Sequence, residues 1–110
     1  MLTLQQTDRE LKILWSLSSH QSEDLAGFVQ IREIKQEVFI EKCLFYLLGE
    51  KEIPMDVWRA LLSSLKVLLD RNIKLVFICT SKKIEAMLHA FGFYLFGDLL
   101  LDPSADVSLH

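Results

Sequence analysis

The sequence predicts a single α/β domain, residues 1–110, with a mixed, mostly parallel sheet, an N-terminal hairpin and helices packed on the sheet. Three observations carry this. Short apolar runs of strand length alternate with longer stretches whose apolar residues recur every three or four positions, which is the pattern of βαβ crossovers. The first two short runs are separated only by a turn, so they form a hairpin rather than a crossover. The chain is 51% hydrophobic, with 4 Gly and 2 Pro, which suffices for one core and is too apolar for disorder.

The elements follow in order. Leu2 and Leu4 alternate with polar residues, Thr7-Asp8-Arg9 offers a turn, and KILWSL, Lys12 to Leu17, is the second strand. In SSHQSED, Ser22 suits a helix N-cap, with Glu23 and Asp24 at the positive end of the dipole. Leu25, Phe28, Ile31, Ile34 and Val38 then define one helical face, although FVQIREI also reads as a strand. CLFYLL, Cys43 to Leu48, is continuously apolar and suits a central strand buried on both faces. Gly49 to Glu52 is a loop. Pro54 suits the first turn of a helix, where its missing N–H costs nothing. The apolar stripe of that helix is Val57, Trp58, Leu61, Leu62, Leu65, Leu68 and Leu69, and Asn72 suits a left-handed C-terminal position. KLVFIC, Lys74 to Cys79, is another buried strand. Thr80 or Ser81 caps the next helix, in which Ile84, Met87, Leu88 and Phe91 share a face and Gly92 is the stop. Phe93 to Leu101 holds a last strand, centred on LFGDLLL, and Asp102-Pro103-Ser104 opens a short final helix.

Composition excludes several classes of function. The net charge is -3, and Lys82-Lys83 is the only adjacent basic pair, so a nucleic-acid partner is not expected. No apolar run approaches the roughly 18 residues of a membrane span, and MLTLQQTDRE lacks the basic and apolar regions of a secretory leader. A soluble cytoplasmic protein is therefore the expectation. Cys43 and Cys79 fall in apolar strands without CxxC spacing and read as buried free thiols. His20, His89 and His110 are scattered, and none has a partner at metal-ligand spacing. Glu50 and Glu52 flank a lysine as solvated charges do. Ser63-Ser64 lie mid-helix without a nucleophile turn, and no Gly-rich phosphate loop is present. No catalytic residue, cofactor or metal site is expected, and the chain does not read as an enzyme.

From Cys43 to Leu61, CLFYLLGEKEIPMDVWRAL resembles the central segment of the STAS domain, the fold of bacterial anti-sigma factor antagonists. There a hydrophobic strand runs through a loop into an Asp-Ser-Ser-Gly-Leu helix start. Gly49 falls at the family's loop glycine and Ile53 at the apolar residue before the motif. Downstream, the helix Leu61–Asp70, the strand Leu75–Cys79 and KKIEAMLHAFGF are similar to the family's long helix, strand and Gly-terminated helix. LFGDLLLDPSADV looks like its last strand and the polar start of a terminal helix. The resemblance covers nearly the whole chain and rests on element order and hydrophobic pattern. A flavodoxin-like or receiver-like α/β signalling domain is the rival fold, but KILWSLSSH lacks the acidic pair that ends a receiver's first core strand.

The resemblance implies a protein-interaction module of signal transduction and transcription regulation. Its implied partner is an anti-sigma factor, a kinase or an ATPase subunit. The alternative is a small subunit of an ABC-type lipid-transport complex. A homodimer is also open. In signalling members of the family the first serine of Asp-Ser-Ser-Gly is phosphorylated, which adds charge and breaks docking. Here Pro54, Met55, Asp56 and Val57 stand at those positions, and Met55 cannot accept a phosphate. The expected partner-binding residues are thus Pro54, Met55, Asp56, Val57 and Trp58, without the usual switch. Asp56 has two readings, a fixed charge for the partner or support for the helix start. Trp58 also has two, partner contact or core.

Overall fold

The computed structural model describes residues 2–7, 9–16, 31, 39–49 and 53–104. They form a five-stranded sheet with the strands in chain order, β1 (Leu2–Thr7), β2 (Glu10–Ser16), β3 (Lys42–Leu48), β4 (Lys74–Cys79) and β5 (Gly97–Leu101). β1 pairs antiparallel with β2, as the hairpin reading expects, and β2 to β5 are mutually parallel. Each parallel step needs a crossover. Helix α1 (Met55–Asp70) carries β3 to β4, and α2 (Lys82–Ala90) with a 3-10 turn (Phe93–Leu95) carries β4 to β5. The helix expected over Leu25–Val38 lies outside the described residues except for Ile31, which is helical and fully buried.

Local chemistry explains the boundaries. Pro54 is extended (φ -60°, ψ 151°) and precedes α1 as its N-cap rather than lying in the first turn, and its carbonyl accepts from the Val57 and Trp58 N–H groups, both at 3.1 Å. After α1, Asn72 takes the left-handed conformation (φ 59°) anticipated for it. Ser81 caps α2, its Oγ accepting from Lys83 N at 3.1 Å. Gly92 (φ 78°) ends the chain's run through α2. The last strand begins later than LFGDLLL suggests. Phe93 is drawn fully into the core, which winds Phe93–Leu95 into a 3-10 turn, so pairing to β4 starts at Gly97. At the far end Asp102–Ser104 forms a turn in which Asp102 Oδ1 accepts from Ser104 N (3.2 Å) and Oγ (2.8 Å). A helix beyond Ser104 lies outside the described residues.

The core lies on one face of the sheet. Leu11, Ile13 and Trp15 of β2, Cys43, Phe45 and Leu47 of β3, and Leu75, Phe77 and Cys79 of β4 are buried there against Val57, Trp58, Leu61, Leu65 and Leu68 of α1, Ile84 and Leu88 of α2, and Phe93. Aromatic rings dominate its centre, with Trp58 in edge or tilted contact with Trp15, Phe91 and Phe93 at 5.3–6.1 Å. The reading of CLFYLL as buried on both faces is corrected here. Leu44, Tyr46 and Leu48 alternate out of the core and are only half-buried. On that second face Leu44 and Tyr46 pack with Val76 and Ile78 in a small separate cluster. The reason is topological. Successive neighbouring strands joined by crossovers of one hand bring their helices to the same side. No helix among the described residues is long and apolar enough to cross a membrane.

Candidate functional site

The C-terminal ends of the parallel strands meet the start of α1 at one end of the sheet. The geometry there begins with backbone ties. Gly49 leaves β3 with φ 109°, a conformation that favours glycine, and its N–H donates to Thr80 Oγ1 at 2.9 Å. Asp102 N donates to Cys79 O at 2.8 Å, which ties the end of β5 to the end of β4. Glu50, Lys51 and Glu52 of the expected loop lie outside the described residues. Ile53 is buried and anchors the approach to α1.

The five residues singled out from the sequence separate into two groups. Pro54, Met55 and Asp56 are exposed, Met55 at 49%. Val57 and Trp58 are each 1% exposed and belong to the core. Of the two readings of Trp58, the core is where its ring lies, so the surface of this stretch is Pro54, Met55 and Asp56. Burial of the next two side chains holds those three in place. Asp56 is in the first turn, where the unpaired N–H groups and dipole of α1 favour a negative charge. The site therefore offers an adaptable apolar side chain beside a carboxylate on a rigid helix end.

Among the described residues, the others of chemical interest are not brought to it. Ser64 is fully buried, and its Oγ donates to Ala60 O at 3.0 Å, whereas Ser63 is exposed. His89 is exposed on α2 with its ring against Tyr94, 4.8 Å between centroids. His20 and His110 lie outside the described residues. Cys43 and Cys79 are free and buried, and burial pushes both thiols up to about 12, helped at Cys79 by the Glu85 carboxylate. Such thiols are inert at neutral pH. Among the described residues no group of His, Cys, Asp and Glu could hold a metal ion.

One feature escaped the sequence reading. Arg59, Ser63 and Lys66 flank an apolar groove of about 370 Å³ on α1, walled by Leu62, Leu65, Leu69 and Phe96. The i, i+4, i+7 spacing of the three polar residues was the available signal. The groove stayed hidden because Leu62 and Leu69 read as core, while both are only partly buried. No family model matches the chain, and a search of curated proteins finds no match either.

Proposed function

We propose that the chain is a non-enzymatic protein-interaction module, resembling an anti-sigma factor antagonist, that docks through the start of α1. It is not switched by serine phosphorylation at the family's usual position, where Met55 stands. The observation that carries this reading is the exposure of Met55 and Asp56 on a helix end anchored by the buried Val57 and Trp58. Two further features support it: strands in chain order with an opening hairpin, and the inertness of both thiols. The partner is an anti-sigma factor, a kinase or an ATPase subunit.

The test uses the partner recovered by pull-down from the host. Met55→Ala removes adaptable apolar contact. Asp56→Lys reverses a charge at the positive helix end and costs about 0.5–1 kcal/mol of fold stability. Inside an interface the same reversal costs several kcal/mol. Near-native melting with binding weakened at least tenfold, about 1.4 kcal/mol, is the expected outcome. Unchanged binding by both variants refutes docking at this site. Capture of an ABC-type ATPase assigns the chain to the transport alternative.

A further inference from the structure

We propose that the outer edge of β1 docks a second copy of this chain, whose own β1 pairs with it antiparallel about a two-fold axis at Leu4, so that the two sheets become one. The proposal does not rest on the proposed function. The sheet has two outer strands, β1 and β5, and their edges differ. Unpaired backbone groups on an outer strand invite another strand, and chains that stay apart block them with charges, Pro, bulges or covering side chains. At β5 such devices are present. Glu85 and His89 of α2 and Tyr94 of the 3-10 turn line one hollow with Asp98 and Leu99, so a strand added there meets two carboxylates. At β1 they are missing. LTLQQT holds no charged residue, Pro or Gly. It pairs with β2 residue by residue, from Leu2↔Trp15 to Thr7↔Glu10, without a bulge. Among the described residues no other strand pairs with it.

The side chains select the register. Directly opposed residues of an antiparallel pair lie on the same face of the sheet. Centred on Leu4, the axis sets Leu4 against Leu4, and it sets Thr3 against Gln5 and Leu2 against Gln6 twice each, because the contact is isologous. Centring on Thr3 pairs less of the strand, and centring on Gln5 sets Leu4 against Gln6. Leu4 is the half-buried end of an apolar row that crosses the sheet, Leu4, Ile13, Phe45, Phe77 and Leu99. The axis continues this row into its own copy and covers Leu4 from its open side. On the opposite face the row Gln5, Lys12, Leu44, Val76, Asp98 continues into Thr3, Leu14, Tyr46, Ile78 and Leu100 of the second copy, a row without charge. The row of Glu10, Lys42 and Lys74 reaches β1 at Thr7, outside the paired stretch. No lysine row of one copy therefore runs into a lysine row of the other. The joint from Leu2 to Gln6 is about 17 Å long at ~3.4 Å per residue and buries less than the ~800 Å² per partner of a standard stable complex. The dimer is accordingly weak and concentration-dependent.

Sedimentation velocity on the full chain, from about 10 µM to about 1 mM, tests this with two double variants that differ at one position. The wild type should self-associate, and β1 N–H groups that face away from β2 should exchange more slowly at the higher concentration. Thr3 and Gln5 are both exposed, so changes there should leave the melting temperature near the wild-type value. Thr3→Glu with Gln5→Glu sets carboxylates opposite one another in both pairs and should weaken association at least about tenfold. Thr3→Lys with Gln5→Glu sets opposite charges together in both pairs and should keep association within about threefold of wild type or tighten it. A variant that fails to fold is replaced by cysteine cross-linking. Thr3→Cys mixed with Gln5→Cys should form a disulfide dimer under mild oxidant. Neither should do so alone, because like positions are offset by two residues along the joint and lie too far apart for a disulfide. A wild type that stays monomeric to about 1 mM, equal association by the two double variants, or cross-linking without the register preference overturns the proposal. A strand of a different protein covering β1 would produce the first of these outcomes.

Discussion

Thiol reactivity gives the sharpest readout of the core placement. Cys43 and Cys79 point from β3 and β4 into the covered face, and both are fully buried. Reaction with a maleimide goes through the thiolate. At pH 8 a thiol with the ordinary value of 9.0 is about one-tenth ionised, and one raised to about 12 is ionised about once in 10⁴. Labelling of the native protein should therefore be about a thousandfold slower than in denaturant, before any steric exclusion. The sites are separated by Cys43→Ala and Cys79→Ala, each leaving one thiol, with mass spectrometry following the adduct over time. Glu85→Gln provides an internal control. It removes the carboxylate that helps raise Cys79, so it should speed labelling there and leave Cys43 unchanged. The sign of the pH effect follows from the same shift. The folded state favours the protonated thiol, so this contribution to stability is fully present below pH 9.0 and is lost as pH rises toward about 12. Native labelling of both thiols within about tenfold of the denatured rate would refute the packing of β3 and β4 against the helices.

Two further predictions concern the fold. A β-carbon at Gly97 would overlap the Leu75 carbonyl oxygen and lie 2.8 Å from its carbon. Gly97→Ala must therefore push β5 off β4, with a loss of about 1–3 kcal/mol in urea unfolding and faster amide exchange along β5. Trp58→Ala should cost about 3–5 kcal/mol. Trp58→Phe should cost clearly less, because it keeps a ring against Trp15, Phe91 and Phe93 and removes a buried indole N–H that has no acceptor among the described residues. Equal losses for the two variants, measured as midpoints at unchanged m-value, would show that the aromatic contacts carry no weight.

Much of this architecture is legible in the residues because its signals are local. The close spacing of Leu2–Leu4 and Lys12–Leu17 determines a hairpin, since a crossover needs more chain. Ser81, Asn72 and Gly92 determine where helices start and stop, because capping and left-handed backbone depend on a residue's own chemistry. The absence of a hydroxyl at Met55 is a property of the sequence alone. Tertiary structure decided which apolar surface is covered. Periodicity identifies the faces of an element but not what lies against them. CLFYLL is apolar on both faces, yet the crossovers place helices on one, so Phe45 is core while Tyr46 is half-exposed. Trp58 fits both a docking residue and a core residue until α1 is set on the sheet, where its ring meets Trp15 and Phe93 and leaves the surface to Met55 and Asp56. Strand register likewise places Lys12 and Asp98, 86 positions apart in number, in one row of the face opposite α1 and α2. Hydrogen bonding between distant strands creates that alignment, and no local pattern in the chain encodes it.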